Sequence, residues 1–410
     1  MNPQLAIPLA APHPSSAAYR SMQIAAIVLV LILMAGILHM GDAAYIAFAL
    51  AGAFLVHMVA AQPTRNDVLA TLACGAAFAL VYVAHHGSFG DFFGRDIAIA
   101  GAFAGMGSLV VLSAKWIWAP VDQKRSRSSD VSNAALIPLL CVGSMVCVGL
   151  AMPLAPITYD RLLYVFDLKY GGPPSWVIGR LFRLHPWIAT ICGYVYNSLP
   201  LGMAACVAMQ WRDRRNHRPV TVDLRWIAIA LGVTGFLLYQ ICPVAGPIYL
   251  FATQFPFQLP DLAGFAIQPA WLQQVPRNGM PSLHVGWTLL LFWNTRKRSW
   301  WVAAGAAFYL LLTALATLGF GEHYLADLMV APPLALAIQA ACTRTNSPAR
   351  WIALSIGGVI TLTWLIAFRS GAALGIPAGA SVWTLTAFTV TLAAAGAWWL
   401  ERSATASTSR

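Results

Sequence analysis

The strongest constraint on this chain is a succession of apolar runs, each long enough to cross a bilayer as a helix. A hydrocarbon core of ~30 Å takes roughly 20 helical residues. The predicted spans lie near residues 22–40, 43–61, 67–85, 97–118, 134–154, 187–209, 225–245, 282–295, 300–319, 323–342, 351–369 and 380–400. The sequence therefore predicts an all-α, polytopic membrane protein with about twelve transmembrane helices.

The composition excludes an ordinary soluble protein. Of the 410 residues, 59% are hydrophobic and 10% are charged, against roughly 25% charged in soluble domains. A formal net charge of +11 raises the question of nucleic-acid binding. The basic residues, however, stand in short clusters between apolar runs, where they orient a membrane protein. We expect the bilayer as a partner and no nucleic acid. No small-residue cleavage site follows the first run, so we expect 22–40 to be a retained span.

The basic residues also predict an orientation. With a cytoplasmic N-terminus, 18 of the 25 Lys and Arg residues fall on the inner side, as the positive-inside rule requires. Two long segments, 155–186 and 246–281, then lie outside, and both contain Pro, Gly and aromatic residues. Long structured loops on one side of a protein are where sites are commonly built.

One polar motif, residues 277–284, enters the eighth predicted span from this side. It brings together the cation of Arg277, the flexible backbone of Gly279, the hydroxyl of Ser282 and the imidazole of His284. Pro281 suits a first helical turn, whose free N–H groups attract anions. The motif predicts a phosphate site with His284 beside it. The alternative is a helix start with polar residues at the membrane interface.

A second motif, residues 319–327, lies at the outer end of the tenth predicted span. His323 and Asp327 are four residues apart, so in a helix they share a face and the carboxylate can orient the imidazole. This arrangement is typical of a nucleophilic or general-base histidine. An acid inside a span is also costly unless it has a function. The alternative is a structural ion pair or helix cap.

The two motifs together, Pro281-Ser282-Leu283-His284 and His323-Tyr324-x-x-Asp327, resemble those of the type 2 phosphatidic acid phosphatase superfamily. The element at 243–249 resembles the branch that contains inositol phosphorylceramide synthases and their bacterial relatives. The resemblance implies that His323 is the nucleophile, Asp327 its orienting partner, His284 the acid and base, and Ser282 a phosphate ligand. It also implies that neither a metal nor a cofactor is needed.

The resemblance covers about residues 134–342, which implies a six-helix catalytic core between accessory segments at 1–133 and 343–410. Two features of the superfamily are missing. Its first motif, with a Lys and an Arg-Pro, is absent from the end of the seventh span, and no Arg precedes His323 within 317–322. A phosphomonoester needs more than one cation. Arg277 is the first predicted substitute, and Arg161 or Lys169 is the second.

These observations predict a lipid phosphotransferase that acts through a phosphohistidine at the outer face of a bacterial-type inner membrane. Its predicted partners are a lipid phosphate substrate and a second lipid that serves as acceptor. A lipid phosphate phosphatase is the nearest alternative, because the motifs alone do not choose between water and an alcohol as acceptor. A transporter is an alternative of another class, and a non-catalytic scaffold is the third.

Overall fold

The structure is a computed structural model that describes residues 43–87, 95–218, 220–260 and 266–408. Within these ranges it contains fifteen α-helices, two short 3₁₀ helices and one pair of two-residue strands. The predicted all-α class is confirmed. The first predicted span, 22–40, lies outside the described residues.

Four helices precede the two long loops. They are α1 (Ala43–Ala60), α2 (Arg65–His86), α3 (Arg95–Ile117) and α4 (Val121–Leu154). Small residues let them pack closely, as is usual between membrane helices. A Cβ on Gly105 of α3 would lie only 1.9 Å from the carbonyl oxygen of Leu50 on α1. Helix α1 is therefore in backbone contact with its neighbour.

Eleven helices follow, and each remaining predicted span contains at least one of them. The elements are β1 (Ile157–Thr158), α5 (Asp160–Leu168), α6 (Pro174–Leu184), α7 (Pro186–Asn197), α8 (Leu199–Arg215), α9 (Leu224–Tyr239), α10 (Pro247–Phe251), a 3₁₀ turn (Ala252–Gln254), β2 (Ala270–Trp271), α11 (Leu283–Thr295), α12 (Trp300–Gly319), α13 (Leu325–Cys342), α14 (Pro348–Ser370), a second 3₁₀ turn (Ala372–Gly375) and α15 (Ala380–Thr408).

Eleven of the predicted spans lie within the described residues, and fewer helices than that are long enough there to cross a membrane. Among the described residues seven helices pass by length and composition, or eight if α7 and α8, which meet at a 48° bend, form one span. Helix α9 has 16 residues and α11 has 13, so α11 is only about 20 Å long. The apolar helices indicate an integral membrane protein, but the number twelve is not confirmed. The predicted run at 225–245 extends beyond the end of α9 at Tyr239, whereas α11 covers nearly all of the short run at 282–295.

The two long segments, 155–186 and 246–281, pack together, and we call them the loop cap. Strands β1 and β2 join them in an antiparallel pair, with Ile157 opposite Trp271. The indole N–H of Trp176 in the first segment donates to the carbonyl of Gln258 in the second at 3.0 Å. The Trp176 ring also lies 5.1 Å from that of Phe251. The loop cap is thus a folded unit rather than two independent connections.

Ion pairs gather at the other ends of the same helices. Arg344, just after α13, and Arg225, at the start of α9, both contact Asp223, at 3.4 and 2.9 Å. Arg296, just after α11, contacts Glu401 of α15 at 2.7 Å. Because α11 and α13 begin at the two histidine motifs and end at these arginines, the histidines and the basic clusters lie at opposite ends of the helices.

Candidate active site

Ser282, His323 and Asp327 come together although 41 residues separate the first two. Nδ1 of His323 lies 3.3 Å from Oδ2 of Asp327. Nε2 of the same ring lies 3.3 Å from Oγ of Ser282. All three side chains are buried. One nitrogen of the imidazole therefore lies beside a carboxylate, and the other nitrogen lies beside a hydroxyl that can bind phosphate.

Each histidine motif spans the start of a helix, one or two residues later than the predicted starts at 282 and 323. Ser282 is the N-cap of α11 with ψ 105°, so Pro281 precedes the first turn. Helix α13 begins at Leu325, so His323 precedes it. Its contact with Asp327 does not come from a shared helical face. It arises because Asp327 folds back to accept the backbone N–H of Tyr324 at 2.8 Å, in the manner of a helix cap.

His284 faces the same site from the first turn of α11. Its ring centroid lies 6.4 Å from that of His323. The Tyr196 ring of α7 stacks on it at 4.1 Å, with an angle of 14° between the planes. Nε2 of His284 is buried and has no hydrogen-bond partner within the described ranges. The two imidazoles are thus close enough to act on one phosphate group between them.

The loop cap contacts the His323 side of this site at several points. Oγ of Ser175 donates to the carbonyl of His323 at 2.8 Å. The backbone N–H of Ile248 donates to the carbonyl of Gly321 at 2.9 Å. Gly246 has φ +116°, and a Cβ there would lie 2.4 Å from the carbonyl oxygen of Glu322, so only glycine fits this approach. The 243–249 element therefore rests directly on the His323 motif.

Two buried carboxylates of α5 fix the backbone around the site. Asp160 accepts the N–H of Gly246 at 2.7 Å and that of Ala245. Asp167 accepts the N–H of Leu325 at 2.8 Å and that of Ala326 at 3.1 Å, so it caps α13. Burial raises the pKa of the Asp167 carboxyl to about 8, against the lowering effect of these two donors. Helix α5 thus positions both the 243–249 element and the His323 motif.

The residues predicted to bind phosphate beside Ser282 have protein partners in this structure. Arg277 is buried and donates to the carbonyls of Ala155 at 2.7 Å and Val275 at 2.6 Å, and also to those of Pro156 and Leu272. The ammonium of Lys169 donates to the carbonyls of Leu374 and Ile376 at 2.8 and 2.7 Å.

The other two predicted phosphate ligands also have backbone partners. Nη1 of Arg161 lies 3.3 Å from the carbonyl of Ala266. The backbone N–H of Gly279 donates to the carbonyl of Val244 at 2.8 Å. Phosphate binding by these residues stays a prediction, and a bound phosphate would have to compete with the carbonyl contacts.

The segment that contains both motifs matches a known family model. Residues 161–341 match the family model of the PAP2 superfamily. No curated protein and no solved structure matched the chain. The match supports the superfamily that the two histidine motifs resemble. It indicates a phosphatase or phosphotransferase of lipid phosphates in the PAP2-matched segment. Within the described residues, no group of three or more His, Cys, Asp or Glu side chains is arranged to hold a metal ion.

Several residues of the site were not predicted from the sequence. Asp160, Asp167 and Ser175 act on the backbone of segments that are distant along the chain, so no local pattern marks them. Tyr196 lies in an apolar run, where an aromatic residue is usually part of the core. The one available signal was the pair of acids in α5, because carboxylates in an otherwise apolar loop need hydrogen-bond donors when buried.

Replacing Asp167 with alanine is expected to destabilise the protein by on the order of 2 kcal/mol, because two buried N–H groups lose their acceptor. Activity should fall as well, since the start of α13 orients His323. Asp167→Asn keeps one acceptor oxygen and should lose less. Reversible denaturation of the purified protein in detergent measures the change in the free energy of unfolding.

Asp122→Ala is the matched control, because Asp122 is an exposed acid in the first turn of α4. A loss for Asp167→Ala no larger than that for Asp122→Ala would contradict the capping role.

Proposed function

We propose that this protein transfers a phosphoryl or phospho-head group from a lipid donor to a second lipid, through a phosphohistidine at His323. The observation that carries the proposal is the position of the His323 imidazole between Asp327 and Ser282, with His284 across the site. A nucleophile oriented by a carboxylate and opposed by a second acid–base group is what a two-step transfer requires.

The first step forms the covalent intermediate. Nδ1–H of His323 donates to Asp327, which leaves the lone pair on Nε2 to attack phosphorus. The bond from phosphorus to the leaving oxygen breaks, and His284, protonated at the start, gives that oxygen its proton. Ser282 donates a hydrogen bond to a phosphate oxygen. The developing charge on the imidazole is offset by Asp327.

The second step reverses these roles. Neutral His284 accepts the proton of an acceptor hydroxyl, whose oxygen attacks phosphorus and breaks the bond to Nε2 of His323. The lone pair returns to Nε2, and His284 is protonated again for the next cycle. Water and an alcohol can both serve as acceptor in this chemistry.

The loop cap supports transfer rather than hydrolysis. His323 is 2% exposed and Ser282 is fully buried, and the cap contacts the His323 motif through Ser175 and Ile248. A phosphohistidine in a site closed to bulk water survives long enough to meet a second lipid. The 243–249 element, which is part of this contact, also supports the synthase-like branch of the superfamily.

The engaged cations favour a donor with a single negative charge. The side chains of Arg277 and Lys169 donate hydrogen bonds to backbone carbonyls. A phosphomonoester dianion needs more cationic partners than a phosphodiester does. We therefore favour a phospholipid, in which the phosphate is a diester, as the donor.

The protein has a defined orientation in the membrane and a catalytic core flanked by further helices. The site faces the outer side of a bacterial-type inner membrane, because the basic clusters occupy the opposite helix ends. The catalytic core is 134–342, and the segments before and after it are accessory. A transporter is less well supported. A carrier's charged site usually lies at the midplane between two related halves, whereas the histidines here lie at the starts of α11 and α13.

Purified protein given a phospholipid with a labelled head-group phosphate and a membrane lipid extract is expected to form a new labelled lipid faster than it releases soluble label. The physical reason is the exclusion of water from the phosphohistidine by the loop cap. Thin-layer chromatography separates the two products, and withdrawal of the extract should stop formation of the new lipid.

His323→Ala is the control for background transfer. Release of soluble phosphate or head group that dominates with every acceptor, at a rate unchanged without acceptor, would favour a lipid phosphate phosphatase. Equal product formation by the wild-type and His323→Ala proteins would favour a non-catalytic scaffold.

A further inference from the structure

Helix α1 lies outside the PAP2-matched segment, yet it contributes an aromatic ring to the candidate site. The Tyr45 ring lies 6.1 Å from that of His284, with 64° between the planes. Tyr196 stacks on the same imidazole at 4.1 Å. His284 is therefore contacted by two tyrosines, one from the matched segment and one from an accessory helix.

Close helix packing holds Tyr45 in this position. A Cβ on Gly52 of α1 would lie 2.5 Å from the Cβ of Ala204 on α8. Tyr45 and Gly52 are seven residues apart, which is nearly two helical turns, so they share one face of α1. The face that rests on α8 through Gly52 is thus the face that presents Tyr45 to His284.

The break between α7 and α8 holds the second tyrosine. The hydroxyl of Tyr309 on α12 donates to the carbonyl of Val195 at 2.9 Å and lies 3.0 Å from Oγ of Ser198. These contacts satisfy polar groups at the broken helix, as a membrane interior requires. Tyr196, between Val195 and Ser198, is fixed along with them.

Packing rather than hydrogen bonding at Nε2 sets the direction of the His284 ring. Nε2 is buried and has no hydrogen-bond partner in the part of the chain that the structure describes. Stacked and edge-on aromatic contacts have preferred geometries, so the two tyrosines restrict rotation of the imidazole. A general acid must stand within hydrogen-bond reach of the leaving oxygen.

We propose that Tyr45 is a positioning residue that, together with Tyr196, holds His284 in the orientation needed to protonate the leaving group. The inference rests on the proposed function. It makes α1 part of the active site rather than an appendage of the catalytic core.

Tyr45→Ala is expected to lower kcat by about 10- to 100-fold for a phospholipid donor, because small misplacements of a catalytic group cost up to about 100-fold. KM should change little. The loss should shrink to a fewfold with an aryl phosphodiester such as bis(p-nitrophenyl) phosphate, whose leaving group needs little protonation. Tyr45→Phe keeps the ring and should retain both activities within about twofold.

Tyr82→Ala is the matched control, because the Tyr82 ring of α2 makes an edge-on contact with Phe103 at 5.6 Å. It should leave both activities close to wild type. Tyr45→Leu retains an apolar side chain for packing if the alanine variant fails to fold, and it should show the same dependence on the leaving group.

A wild-type kcat in Tyr45→Leu, or an equal loss for both substrates in a well-folded Tyr45 variant, would overturn the positioning role. Neither outcome would touch the proposed function, provided that the wild type is active and His323→Ala is not. An inactive wild type, or an active His323→Ala variant, would instead remove the proposed function and this inference with it.

Discussion

Replacing His323 with alanine should abolish turnover, with a loss on the order of a million-fold, as expected when the nucleophile of a covalent mechanism is removed. His323 lies between a carboxylate and a hydroxyl, with contacts of 3.3 Å on both sides. Incubation with ³²P-labelled substrate and a rapid acid-free quench should trap label on the wild-type protein and none on the variant.

His185→Ala is the matched control for this prediction. His185 is exposed and lies at the junction between α6 and α7, away from the described contacts of the site. It should keep wild-type turnover and labelling. Phosphoenzyme in the His323→Ala variant, or turnover within tenfold of wild type, would exclude His323 as the nucleophile.

Asp327→Asn should lower kcat by about 10³- to 10⁴-fold, because an amide cannot hold the imidazole in the required tautomer or offset its charge. The asparagine oxygen can still accept the N–H of Tyr324, which Asp327 accepts at 2.8 Å, so the start of α13 should remain folded. The rate of phosphoenzyme formation in single-turnover experiments measures the effect on the first step.

The stability of the Asp327→Asn variant is the necessary control, measured by denaturation beside the wild type. A loss of kcat below tenfold in a folded protein would show that Asp327 is a structural cap for α13 and not an orienting partner of His323.

Local sequence patterns predicted helices where the structure has them, and they marked the two histidines of the candidate site. Apolar runs predicted a helix in every span from 43–61 to 380–400, because in lipid a helix satisfies its own backbone hydrogen bonds. The motifs at 281–284 and 323–327 placed the two histidines at the starts of two different helices, on the same side of the protein. The observed helices start one or two residues later than predicted, since the extended backbone at Ser282 and the capping contact of Asp327 are local geometry that hydrophobicity does not record.

The arrangement of the loops could not be predicted from the sequence, and the reason is physical. The loop cap depends on the pairing of β1 with β2 and on contacts such as Trp176 with Gln258, which join residues far apart in the chain. The Arg277 side chain has the chemistry of a phosphate ligand. Only the structure shows that its guanidinium donates to four backbone carbonyls. A guanidinium serves carbonyls and phosphates with the same donors.

The sequence by itself determined that this chain is an all-α membrane protein with a paired-histidine motif of the PAP2 type, because hydropathy and motif spacing are properties of short segments. Only the tertiary structure decided which groups surround those histidines. Asp167 reaches the start of α13, Ser175 reaches His323, and Tyr45 reaches His284 from α1, which lies outside the PAP2-matched segment. Each of these contacts depends on helix packing or loop closure between residues far apart in the chain. Local sequence patterns do not record such long-range packing.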